Sequence, residues 1–355
     1  VGLQVKTPDQ YSNLKDVQSI TSAFADALIP HAHRWEEFHF FHLKYPRTME
    51  QVFDRFRSLD LPRLERLVLD SQQWDDTDKL YSTWTMPNLR RIVSHDGIPL
   101  ELPGKAGLLE CDIVLEGYCI HPFMRKISGF LGSLTSLTTL RLTYSKATFL
   151  LPFYIASPIR LPNLRELDVR MCFGVMVLDS GDIVEESGEA ILKLVERLEA
   201  PQLEELLMTI YHVETSKAMT CYLLDDLLRI HGKAGSLQTF TYIQEGQIAD
   251  DSIESVVENP CNGNIVISGL DLCRCYYKHP DLSSHQGGTY GLRTLTFRKC
   301  KISTDAMEVL LKLYTTREWY PNFEGIILER CDDVTWEDLA GIAHSEHVLI
   351  RDEWL

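Results

Sequence analysis

The stretch LPNLRELDVRMC, residues 161–172, divides into an apolar set, Leu164, Leu167 and Val169, and a polar set, Glu166, Asp168 and Arg170, as a half-buried strand does. Nearly the same wording recurs in LPRLERLVLD (61–70), MPNLRRIV (86–93), LTSLTTLRLTY (134–144) and GLRTLTFRKC (291–300). Aligned on apolar-x-x-apolar-x-apolar, the leading positions fall at Trp35, Leu64, Leu89, Leu108, Leu137, Leu164, Leu203, Leu237, Ile267, Leu292 and Phe323, at intervals of 19 to 39 residues. A short strand with one apolar face cannot bury that face alone, whereas copies laid side by side make a continuous core. The repeat therefore leaves few folds open, and a solenoid is the simplest of them.

Between the strands the apolar period changes from two to about 3.6. TMEQVFDRFRSL (48–59), EAILKLVERLEA (189–200), CYLLDDLLRI (221–230) and DAMEVLLKLY (305–314) carry apolar residues at i, i+3, i+4 and i+7. Pro62, Pro87, Pro162, Pro201 and Pro321 stand one or two residues before leading positions, where proline ends one element before the next strand begins. The fold class expected is α/β, a leucine-rich-repeat solenoid with a curved parallel sheet on the concave side and helices on the convex side. Most of its intervals lie in or near the roughly 20–29 residues usual for such repeats. The segment before Trp35 reads as an amphipathic helix, with Ser12 or Asn13 as N-cap and Pro30 beyond its end. The expected organisation is a capping helix over residues 1–34 and a solenoid of about eleven irregular repeats over 35–355.

Composition excludes some partners. A formal charge of −16 opposes wrapping a phosphate backbone or resting on an anionic membrane, so neither nucleic acid nor membrane is expected as a partner. Nine cysteines, an odd number, do not suggest a disulfide framework, and a reducing cytoplasmic or nuclear location is expected. CRCYYKHPDLSSH (273–285) holds zinc-type ligands in Cys273, Cys275, His279 and His285. Its C-x-C spacing puts both thiols on one side of a strand, so no metal site is expected. His31, His33, His39 and His42 read as a surface cluster, and the acidic run DSGDIVEESGEA (179–190) as a solvated loop. No phosphate-binding glycine loop or nucleophile motif appears, so neither a cofactor nor catalysis is expected.

Counting eight residues on from Leu164, Ile267, Leu292 and Phe323 reaches Cys172, Cys275, Cys300 and Cys331. These four are expected at one position, just after a strand, as buried free thiols that hydrogen-bond neighbouring carbonyls. CKISTDAMEVL (300–310) and CDDVTWEDLA (331–340) then continue alike, with Ser303 and Thr335 as N-caps and Asp338 as a capping-box acid. In these residues the chain resembles the cysteine-containing leucine-rich repeats found behind F-box motifs. LIPHAHRWEEFHF (28–40) resembles the start of that region in fungal F-box proteins. The resemblance implies that the repeats hold a protein to be ubiquitinated while an F-box docks on the adaptor of a cullin-type ligase. An F-box opening with Leu-Pro and an acid is absent here, and the 34 residues before Trp35 are too short for one plus the helix. A cullin-ligase adaptor is thus an expected partner only if an F-box precedes this chain.

Side-chain alternation puts the residues two, four and six past each leading position on the concave side. In the middle of the chain these include Arg141 and Thr143, then Glu166, Asp168 and Arg170, flanked by Arg91, Asp112, Glu205 and Leu207. Asp271, Arg298 and Glu329 lie further along. Asp112, Arg141 and Asp168 are expected to form a cross-strand ladder of alternating sign. Val93, Val114 and Leu207 would supply an apolar part. The expected function is protein recognition on this face, as the substrate-recognition region of an F-box-type ligase subunit. The alternative is a leucine-rich-repeat scaffold or inhibitor unrelated to ubiquitination.

Overall fold

The computed structural model describes residues 23, 25–42, 56–71, 81–95, 97–98, 100–115, 121–144, 158–177, 183–186, 194–195, 197–212, 237–245, 264–268, 292–315, 321–331, 335–342 and 345–351. The chain divides into two compact units, residues 1–164 and 165–355. In the first, β1 (Glu37–His42), β2 (Arg66–Ser71), β3 (Arg91–His95), β4 (Glu110–Leu115) and β5 (Thr139–Tyr144) pair in sequence order, each parallel to the next. A two-residue strand β6 (Ile159–Arg160) follows them.

The second unit opens with β7 (Glu166–Val177), which pairs antiparallel with β8 (Ile183–Glu186) along its final residues, and then β9 (Leu198–Glu199). Beside β7 lie β10 (Glu205–His212), β11 (Thr239–Glu245), β12 (Asn264–Ser268), β13 (Thr294–Arg298), β14 (Gly325–Glu329) and β15 (Val348–Arg351), again parallel and in order. Both units are leucine-rich-repeat solenoid. The helices include α1 (His121–Gly132), α2 (Thr304–Tyr314) and the single turn α3 (Trp336–Leu339).

One local device recurs in four repeats. The apolar-Pro-x-Leu segment is a β-turn, with Leu64 N donating to Leu61 O, Leu89 to Met86, Leu164 to Leu161 and Leu203 to Ala200, at 3.1–3.3 Å. Pro62, Pro87, Pro162 and Pro201 occupy the second turn position, which the fixed proline φ suits. The prolines therefore do more than end a helix: they aim the leading leucine into the core. Leu64, Leu164 and Leu203 are fully buried. Two consecutive N–H groups then share one carbonyl of the preceding repeat: Glu65 and Arg66 on Glu36 O, Arg90 and Arg91 on Glu65 O, Gln238 and Thr239 on Glu204 O. This repeated fork pins the register. The turn asparagines add a third tie, Asn88 Nδ2 donating to Pro62 O (2.6 Å) and Asn163 Nδ2 to Thr135 O (2.8 Å).

The second and fourth strand positions face the core: Leu67 and Leu69, Ile92 and Ser94, Cys111 and Ile113, Leu140 and Leu142, Leu167 and Val169 are all buried. Ser94 is the polar exception and donates to Gly97 O. Trp35 stacks on Phe38 at 5.2 Å, and Trp84 meets Phe38 edge-on at 5.6 Å. Trp84 is buried, and its indole N–H is satisfied by Phe56 O at 2.6 Å.

Several expectations are corrected. The register Phe240↔Ile265↔Leu295 sets the β12 frame five residues before the expected one, so position 262, not Ile267, is equivalent to Leu237 and Leu292. The strand forms on Asn-Ile-Val-Ile-Ser, because β-branched residues suit a pleated, flanked strand. Asp271 thus lies three residues past β12 and outside the described residues, as does Cys275. Cys172 lies within β7, where the chain stays extended to Val177 to pair with β8, so it does not share the turn of Cys300 and Cys331.

Before Trp35 the helical residues Ala25 to Leu28 run directly into a 3-10 helix, Ile29–Arg34, and Pro30 opens that helix instead of following the last one. Of the expected helices, 305–314 forms α2, with Met307 N bonded to Ser303 O at 3.1 Å. Residues 221–230 lie outside the described residues. Helix α1 was not legible in the sequence, because Pro122, Gly129 and Gly132 break its pattern; buried Ile127, Phe130 and Leu131 were the available signal.

Candidate binding face

The first, third and fifth positions of each strand point away from the core and stack into rows, because parallel register sets equivalent residues side by side. In the first unit the first row runs Glu37, Arg66, Arg91, Glu110 and Thr139. The third-position row beside it runs His39, Val68, Val93, Asp112 and Arg141. Asp112, whose side chain is only 14% exposed, accepts from Arg91 Nη2 at 2.9 Å and from Arg141 Nη1 at 3.1 Å. Glu110 lies 3.5 Å from Arg91 Nε and 3.6 Å from Arg141 Nη1. The strand between two arginine-bearing strands therefore supplies both acids.

At the other end of the row His39 Nε2 donates to Glu37 at 2.7 Å, and Arg66 Nη1 also bonds Glu37. The hydrogen bond from His39 and the charge of Arg66 hold the Glu37 carboxyl below its usual range, against an opposing desolvation. Beside Asp112 on its strand, Cys111 is fully buried at an inward position. Burial, with the Asp112 charge adding to it, pushes the Cys111 thiol well above its usual value.

In the second unit Asp168 is bound by Arg170 of its own strand, with Nη2 donating at 2.8 Å and Nε at 3.1 Å. Glu166 stands in register with Glu205, and Asp168 with Leu207. Glu205 is exposed and Leu207 half-buried. Further along, Glu329 accepts from Arg298 Nε at 2.8 Å and from Arg351 Nη1 at 3.4 Å. The acid between two arginines on neighbouring strands is thus built twice, once in each unit.

Of the residues expected on this face, Arg91, Asp112 and Arg141 come together, Asp168 joins Arg170, and Arg298 joins Glu329. Thr143 is half-buried opposite Val114. Flanking strands cover the third-position row more than alternation implies: Val93 is 8% exposed and Asp168 9%. Glu37, Arg66 and Glu110 also carry charge pairs of the first unit, and Arg351 joins Glu329 in the second; counting two to six residues on at every strand would have found them.

Where the strands end, Cys300 is buried and Cys331 half-buried, so burial of both thiols is corrected for the second. Cys331 Sγ bonds Phe297 O at 3.2 Å, and Cys300 Sγ bonds Arg298 O at 3.4 Å. The residue before each, Lys299 or Arg330, adopts positive φ (51° and 54°), which turns the chain out of the strand. Thr335 and Asp338 form the expected capping box: Thr335 N and Oγ1 donate to the carboxylate at 2.8 and 2.7 Å, and Asp338 N donates back to Thr335 Oγ1 at 3.3 Å. The Thr335 hydroxyl and N–H bonds hold the Asp338 carboxyl below its usual range.

Among the described residues no group of three or more His, Cys, Asp and Glu is placed to hold a metal, and no helix is long and apolar enough to cross a membrane. The segment 273–285 lies outside the described residues. No family model matches the chain, and no curated protein matches it. Among solved structures, an internalin from Listeria monocytogenes is similar to it at 13% identity over 96% of each chain, with a TM-score of 0.35.

Proposed function

We propose that the chain is a protein-interaction module whose partner docks on the outward strand rows, the concave side expected of such a solenoid. The observation that carries this is the organisation of the rows. Most of their interior charges meet an opposite charge on the same sheet, which keeps an open sheet soluble, while Thr143 in the first unit and Glu205 and Leu207 in the second remain outward as contact residues. Within each unit the stacked repeats present a pre-organised row of this kind, which suits a protein better than a small substrate. The test is capture of the native partner by the whole chain and by a Glu205→Arg, Leu207→Lys variant. These two substitutions lie outside the paired charges and should shift stability by no more than about 0.5 kcal/mol. Unchanged melting with lost capture is expected; unchanged capture overturns the docking face.

The finer role we infer is substrate recognition for an F-box-type ubiquitin ligase. It is supported by the repeated turn in which a left-handed residue precedes a cysteine whose thiol bonds a carbonyl, at Cys300 and Cys331. In the same capture experiment a cullin-ligase adaptor should be recovered with a longer natural chain that carries an F-box, and not with residues 1–355. Recovery with both or with neither favours a scaffold or inhibitor unrelated to ubiquitination.

A further inference from the structure

We propose that Arg66 and Arg91, side by side on β2 and β3, form a receptor for one carboxylate group carried by a bound protein. The register sets Arg66 directly opposite Arg91. Like charges in that relation cost stability on a sheet unless something compensates them. Among the described residues the compensation comes from the outer strands: Arg66 spends Nη1 on Glu37 of β1, and Arg91 spends Nη2 on Asp112 of β4. Along the row the order is Glu37, Arg66, Arg91, Glu110, with no acid between the two arginines.

Nη2 of Arg66 and Nη1 of Arg91 make no hydrogen bond to any described residue. Nε of both is buried without an acceptor; for Arg91 it lies 3.5 Å from Glu110 but is not aligned to bond it. The exposure of the two side chains, 40% and 35%, is therefore at atoms other than Nε. An oxyanion seated between the guanidiniums takes one free terminal nitrogen from each, and a small rotation of either brings its Nε into a bidentate fork.

Local charge selects the oxyanion. Glu37, Glu110 and Asp112 stand beside Arg66, Arg91 and Arg141, three acids against three arginines, so no large positive surplus awaits a ligand. A carboxylate adds one uncompensated negative charge and a phosphate dianion about two, in a chain of net charge −16. The row beside the arginines contributes Val68 and Val93, a low-dielectric floor that strengthens charged hydrogen bonds above it.

The carrier of the carboxylate rests on the docking reading, but the site can be tested without a partner. Arginine Nε–H resonances of the whole chain are followed by nuclear magnetic resonance during titration with N-acetylglutamate α-amide, and separately with inorganic phosphate. A saturable shift of the Arg66 and Arg91 signals is expected with the carboxylate probe, and a weaker response with phosphate. Arg66→Lys or Arg91→Lys keeps the charge and loses the planar fork, and should weaken probe binding about tenfold or more with the melting temperature retained. Absence of a saturable shift, tighter binding of phosphate, or unchanged binding in the folded double variant overturns the proposal. A failed Glu205→Arg, Leu207→Lys capture test leaves this result untouched, so the two readings fail separately.

Discussion

Cys111 stands at the second apolar position of the Leu108 repeat and is wholly buried beside Ile92 and Leu140. Burial and the Asp112 charge both disfavour its thiolate, and the thiolate is the reactive form. In the folded protein Cys111 should resist a bulky thiol reagent even at pH 9.0, the ordinary thiol value, while half-buried Cys331 reacts. Mass spectrometry of natively labelled protein reads this directly; prompt modification of Cys111 would refute its burial. Cys300 and Cys331 were legible from their spacing, because the turn chemistry around them is local. Cys172 was misplaced for a non-local reason: β7 runs on to meet β8, and nothing within residues 164–172 announces that partner.

At the level of elements, the strands were readable because their period of two is written in each one, and their order followed from the repeat. The β12 frame slipped because Ile267 satisfies the pattern in two frames, and only pairing with β11 and β13 chooses between them. The acid-between-arginines ladder is the element-scale device most exposed to test. Removing Asp112 leaves Arg91 and Arg141 without their closest acid at a site only 14% exposed. Asp112→Ala should therefore cost about 2 kcal/mol in denaturant unfolding. Arg141→Ala should cost less, since Arg91 still holds Asp112. Equal losses would mean that Asp112 is not shared. The Glu329 ladder, with its members 52%, 22% and 55% exposed, should lose less than the Asp112 ladder on the same change.

For the molecule as a whole, acid sensitivity follows from carboxylates held below their usual pKa values. Glu37 and Asp338 are lowered from 4.5 and 3.8 by hydrogen bonds that exist only when the chain is folded. A depressed folded pKa gives stability that is complete above the unfolded value and is lost as pH falls through the folded one. Glu37→Gln with Asp338→Asn should therefore lower the melting temperature at about pH 6, and that effect should shrink as the pH falls below the ordinary carboxylate values. A gap of constant size between variant and parent would show that neither carboxylate matters to folding. By itself the sequence determined the parallel solenoid, the leading leucines and most of the outward rows. Each of these depends on alternation and repeat length, which are properties of a residue and its near neighbours. The pairing of Asp112 with Arg141 was expected from the repeat; only the tertiary structure decided that Arg91 joins them, that Asp168 meets Arg170, and that Arg66 faces Arg91. Those choices depend on register between strands 20 to 30 residues apart and on which side chains crowd one another there, and no single repeat contains that information.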